Sequence, residues 1–205
     1  MSSAVRGPYA KSAAVRARIV DVCIEAFGTS GFRAATMAEI ARRASISHTG
    51  LLHHFPRKED LLVAVLEMGD RQAAEFLASV TEVDTMERPL EILDAMTDIF
   101  MENAGRSGLI ELHAVLAGEA TSPDHPAFGY FAHRFDNSRA FYGRLFARLR
   151  ETGSLMSSAE PLMLADITLG VFEGVMTQWL YHRDTARLER TAREFIDSII
   201  DRNPG

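Results

Sequence analysis

Apolar residues along this 205-residue chain return every three or four positions almost throughout, and no stretch sustains a two-residue alternation. That spacing predicts an all-α protein. The first helix is expected over about Ser12 to Thr29, with Val15, Ile19, Val22, Ala26 and Phe27 forming its inner face around Cys23 and with Gly28 and Gly31 ending it. Two short helices follow between Thr36 and Phe55. A fourth starts near Lys58 and carries Leu61, Leu62, Val65 and Met68 on to about Ser79. The polar stretch Thr81 to Arg88 reads as a loop, and Pro89 as a helix start. The fifth helix takes Leu90 to about Asn103. Gly105 to Gly108 interrupts the pattern before a helix over Leu109 to Gly118. A loop at Thr121 to Pro126 precedes a long helix marked by Phe128, Phe131, Phe135, Tyr142, Leu145 and Leu149 and closed by Gly153. Two more run from Pro161 to about His182 and from Thr185 to Asp201, about nine helices in all.

The two short helices carry the most information. Thr36 is placed to cap the first, with Glu39 completing a capping box, and Met37, Ile40, Ala41 and Ala44 share one face. Small Ala41 lets a second helix cross closely. Ser47 is placed to cap that second helix, which turns Ile46, Leu51 and Phe55 inward. Its remaining surface, Ser47, His48, Thr49, His53 and His54, is rich in hydrogen-bonding groups. A tight turn between two short helices, the second with a polar outer face, is how a helix-turn-helix offers side chains to a DNA groove.

This stretch resembles the tetracycline-repressor (TetR) family of bacterial regulators. The matching residues are Gly31-Phe32 and Thr36, then Ile40-Ala41 and Ala44, then Ile46-Ser47, with Phe55 and Lys58 to Leu61 at the family's spacing. Three positions depart. Ser45 stands where the family usually has a turn glycine, Leu52 replaces the common aromatic residue, and Arg57 takes the place of a helix-capping Ser, Asn or Asp. The resemblance implies a three-helix DNA-binding domain over residues 1–60 and a helical ligand-binding and dimerisation domain over 61–205. It also implies a double-stranded DNA operator and a homodimer formed through the last two helices. Within that frame His48, Thr49 and His53 are candidates for reading base edges. Thr36, Ser47, His54 and Lys58 are candidates for phosphate contacts, which position without specifying.

Charge fits this division. The chain carries a net −6, yet residues 1–60 hold nine Lys or Arg against five acids. DNA affinity depends on the local field at the docking face, because neutralised phosphates release counterions. The acidic remainder favours solubility and keeps that end off DNA. No apolar run is long enough for a membrane span, and the first residues lack a signal-peptide core. A single cysteine, Cys23, fits a reducing cytoplasm.

Nine Met and 12 Phe suit a plastic apolar cavity for a small-molecule effector, the pocket the resemblance implies. Its candidate wall residues are Met68, Met96, Phe100, His113, Phe131, Phe135, Phe172, Met176 and Trp179. The helix from Pro161 is apolar nearly all round and needs partners on more than one side, which suits a dimer seam. The seven histidines do not form a metal site: His48 and His53 are five apart and His53 and His54 adjacent, so they do not share a helix face. No phosphate loop or nucleophile elbow is present, and no cofactor is expected. Two other readings remain: a helical carrier or enzyme with a vestigial N-terminal domain, and a DNA-binding regulator controlled by a protein partner.

Overall fold

A computed structural model describes the backbone of residues 8–104 and 108–203 and, apart from positions 8–11, 72–74, 77, 82, 83, 103 and 104, their side chains. The described residues form ten helices: α1 (Pro8–Ala34), α2 (Met37–Arg43), α3 (His48–His54), α4 (Lys58–Ser79), α5 (Glu82–Glu87), α6 (Pro89–Ala104), α7 (Leu109–Glu119), α8 (Phe128–Glu151), α9 (Pro161–His182) and α10 (Thr185–Ile199). Among the described residues there is no strand beyond one isolated bridge between Leu155 and Ile200.

The tenth helix is α5, where a loop was expected. Thr81 and Asp84 make the reciprocal bonds of a capping box: Thr81 Oγ1 accepts from Asp84 N, and the Asp84 carboxylate accepts from Thr81 N. Those bonds, chiefly with Thr81, hold the Asp84 carboxyl at about 2, well below its usual value. Of the interruption expected over Gly105 to Gly108, the first three residues lie outside the described ones. Gly108 is left-handed (φ 87) and precedes α7.

The first helix does not end at Gly28. It continues to a sharp change of direction at Gly31 (φ 77, ψ 167), a conformation that favours glycine. Gly28 serves a different purpose. A Cβ there would lie 3.1 Å from the Leu112 amide nitrogen and 3.3 Å from Glu111 Cβ, so its absence lets α1 and α7 meet closely.

Two large cores result. The first joins α1 to α4 and includes Ile19, Cys23, Phe27, Ile40, Leu51 and Phe55, all essentially inaccessible. It runs past residue 60 through Leu61, Leu62, Val65 and Leu66, and Leu112, Leu116 and Phe131 close it from α7 and α8. Each fully buried Leu, Ile or Phe contributes about 1.5–3 kcal/mol. The second core gathers Ile92 and Leu93 from α6, Tyr142 to Leu149 from α8, Leu164 and Phe172 from α9, and Ala192 and Ile196 from α10. Helices α8 and α9 run antiparallel, with Arg139 paired to Asp166 at 2.7 Å and Gly143 against Leu162. Thus α7 belongs to the first core through Leu112 and Leu116, and through Ile110 it meets Val175 of α9 and Leu188 of α10.

Candidate nucleic-acid interface and effector cavity

Thr36 caps α2, its Oγ1 accepting from Glu39 N at 3.2 Å. The other half of the expected capping box is not formed. The Glu39 carboxylate turns along the helix and accepts two bonds from Arg42 at 2.6 and 2.9 Å. After Ala44 the backbone enters the left-handed region at Ser45 (φ 55). Ser45 N–H then donates to Arg42 O at 3.1 Å and Ile46 N–H to Ala41 O at 3.0 Å. This pair of bonds is a Schellman closure. Because a side chain opposes that conformation, Ser45 holds the turn at a cost of about 1 kcal/mol.

Ser47 caps α3, accepting from Gly50 N at 3.0 Å. Leu51 and Phe55 are buried against α1 and α2, which fixes the rotation of α3. His48, Thr49, Leu52 and His53 are thereby turned to solvent, and His54 is half-buried. Arg16, which the sequence did not single out, clamps the end of α3. Its guanidinium lies 4.1 Å from the Phe55 ring centroid and donates to His54 O at 3.1 Å. Lys58 is committed within the protein: its ammonium donates to Arg33 O at 3.1 Å and sits 4.5 Å from the Phe32 ring centroid. Partial burial lowers its pKa, against the opposing pull of Glu119 and Glu59.

A cavity of about 590 Å³ opens between α4, α6, α7, α8 and α9. Met96, Phe100, His113, Phe135, Phe172 and Met176 line it, and Phe100 and Phe172 stack with ring centroids 4.3 Å apart. Three expected wall residues lie elsewhere. Met68 packs against the first core, and Phe131 is buried within it. Trp179 lies in the small cluster between α7, α9 and α10, with its indole N–H donating to Thr185 Oγ1 at 3.1 Å. It borders a separate cleft of only about 20 Å³. The helical period placed these side chains on the inner faces without distinguishing solid core from cavity wall.

Apart from His113, the sequence reading missed the polar side of the cavity. Asp70 of α4 accepts from both the Tyr130 hydroxyl and the Arg134 guanidinium of α8. Burial pushes the Tyr130 hydroxyl up. Across the space, His113 Nε2 meets both carboxylate oxygens of Glu173, at 2.9 and 3.0 Å. These residues come from four helices far apart in sequence, so no local spacing could have grouped them. Among the described residues, no cluster of His, Cys, Asp or Glu could hold a metal ion, and no helix is long and apolar enough to cross a membrane.

A capped helix, a closed turn and a second helix with its polar face outward define a helix-turn-helix DNA-binding protein, here joined to a helical unit with a ligand-sized cavity. Residues 19–65 match the family model of bacterial regulatory proteins of the tetR family. The chain is 22% identical to the HTH-type transcriptional regulator LuxR of Vibrio harveyi, over 89% of this chain and 87% of that protein. It is 31% identical to the HTH-type transcriptional regulator UidR of Escherichia coli, over 40% of this chain and 42% of UidR. The fold superposes on a TetR-family regulator from Agrobacterium tumefaciens with a TM-score of 0.77 at 19% identity, covering 93% of this chain and all of that one. Residues 19–65 thus carry the DNA-binding signature of that family, and the fold of the described residues is the one seen in TetR-family structures.

Proposed function

We propose that the chain is a homodimeric repressor that leaves its operator when a small apolar or amphipathic molecule fills the cavity. The observation that carries this reading is the placement of the cavity. His113 lines it, and less than two turns further along α7 the carboxylate of Glu119 grips α1 beside the DNA-binding unit. An occupant that shifts α7 therefore pulls directly on that unit, while α4 contributes Asp70 and Val65 to the wall. A coupling of about 1–3 kcal/mol suffices for a useful switch. A cavity this large favours a small molecule over a protein partner as the controlling signal.

His48, Thr49 and His53 are the base-reading candidates, because α3 presents them outward. Thr36, Ser47 and His54 suit phosphate contacts. Lys58 serves that role only after its ammonium leaves Arg33 O, since that bond now holds it.

For the dimer through the last two helices, support comes chiefly from α9. Met163, Ile167, Gly170, Gly174 and Tyr181 form one outward stripe, with Met163 59% and Tyr181 82% exposed. Nothing lies within 4 Å of a Cβ built on Gly170 or Gly174, which leaves room for a second helix to approach. Helix α10 directs Leu188, Ala192 and Ile196 inward and Arg190 and Glu194 outward, so it flanks the seam with charge.

Capture of genomic DNA on the purified protein, followed by sequencing, tests the reading. The expected product is a two-fold sequence whose half-site centres lie about 34–36 Å apart, or a multiple of that. An absence of enriched DNA, or a single asymmetric site bound by a monomer, overturns it.

A further inference from the structure

The cavity wall is unevenly charged. Among the described residues lining it, Asp70 and Glu173 are the carboxylates and Arg134 is the guanidinium. Arg134 is taken up by Asp70, which also accepts from Tyr130. Glu173 adds to the field that keeps Arg134 charged, but the guanidinium pairs with Asp70. The hydrogen-bonding inventory points the same way. Both Glu173 oxygens face a single imidazole nitrogen, and one N–H from His113 Nε2 cannot satisfy the four or so acceptor positions of a carboxylate. Glu173 is half-buried, with 33% of its side chain accessible, and it lines the cavity. Beyond it lie the stacked rings of Phe100 and Phe172, with Met96 and Met176 around them.

We infer that the effector of this cavity is an amphipathic cation, an apolar or aromatic body carrying a protonated amine that docks on Glu173. This rests on the reading of the cavity as the effector site. The ammonium supplies the donors that Glu173 lacks, and its charge balances the wall. Its body displaces water from the aromatic and Met side chains, which gain from apolar contact and, at the ring faces, from attraction to the cation. An anion of the same shape has no comparable seat. Arg134 is already neutralised by Asp70, and the unbalanced carboxylate repels it. A neutral alcohol fits the apolar wall but brings one donor and no charge. His113 then acts as a positioning residue, holding Glu173 toward the cavity.

Three probes of one shape separate these cases: 4-phenylbutylamine, 4-phenylbutanol and 4-phenylbutyrate, titrated calorimetrically into the full-length protein and, in parallel, into its complex with captured operator. The amine is expected to bind at least about tenfold more tightly than the alcohol, and the carboxylate most weakly. In Glu173→Gln the ratio of amine to alcohol affinity is expected to fall to near one. Reading a ratio within one protein separates lost recognition from lost folding. The inference is overturned if the alcohol or the carboxylate binds as well as the amine, or if Glu173→Gln keeps the amine preference. It is overturned together with the effector-site reading if none of the three binds, or if bound probe leaves operator affinity unchanged.

Discussion

Glu119, in the last turn of α7, accepts the backbone N–H of Phe32 at 2.6 Å, one residue beyond the Gly31 kink of α1. Its second oxygen accepts Arg33 N–H at 2.7 Å. One carboxylate thus satisfies two amides that a change of chain direction would leave unpaired, and it does so from another helix. Removing it strands the part-buried Phe32 amide. Glu119→Ala is expected to lower stability by about 1–3 kcal/mol in urea denaturation, and Glu119→Gln by less. No measurable loss in either variant would contradict the joint.

Ser45 offers a test of opposite sign. Its φ of 55 suits glycine, and its amide already closes the turn. Ser45→Gly is expected to raise stability by about 0.5–1 kcal/mol, the relieved strain being partly offset by a freer unfolded chain. Chemical denaturation at constant m-value checks this, and a net loss would count against it.

On α3, His48 stands outward with no described side-chain partner competing for it. His48→Ala is expected to blunt discrimination between operator variants by about 1–3 kcal/mol at one base step if the imidazole makes a well-formed contact. Fluorescence anisotropy on a set of single-base variants reads this. Equal weakening on all sequences would reassign His48 to the phosphate backbone.

His125 links acidity to stability. The residue is 3% exposed, packs edge-on against Phe32, and accepts Ala127 N–H on Nδ1 at 3.2 Å. Burial is the main cause that lowers its pKa; Arg33 adds to it, and Glu119 and Asp124 oppose it. The unfolded chain therefore binds more protons, so this contribution is full above the ordinary value near 6.5 and declines as pH falls below it. Between about pH 7.5 and 5.5 the wild-type protein is expected to lose more thermal stability than His125→Asn, which keeps an acceptor but cannot titrate there. Equal losses would remove His125 as the source.

Local chemistry was readable and assembled chemistry was not. The caps at Thr36 and Ser47 and the start of α9 at Pro161 each depend on a few adjacent residues, and the sequence displays them directly. The α5 capping box at Thr81 and Asp84 was equally local, but a six-residue helix shows too little periodicity to register. Gly28 looked like a helix end because a missing side chain signals breakage and close packing alike; only α7 lying against it decides between them. Asp70, Arg134 and Glu173 lie on three helices, and nothing along the chain announces that they face one space. Trp179 shows the converse: its spacing from Phe172 and Met176 suggested a shared wall, but the turn of α9 carries it to α10.

The claim that filling the cavity releases DNA can be tested before any effector is known. Cys23 is fully buried, and burial pushes its thiol up to about 12, so it does not compete for a thiol reagent. Ser138, on the cavity wall, accepts replacement by cysteine, and N-cyclohexylmaleimide then installs an apolar occupant there. Operator affinity by fluorescence anisotropy, measured before and after complete labelling, is the decisive quantity, with labelled Ser158→Cys as the surface control. The account predicts that labelled Ser138→Cys loses about tenfold or more in operator affinity while the control does not. Full labelling of Ser138→Cys with unchanged operator affinity would contradict it.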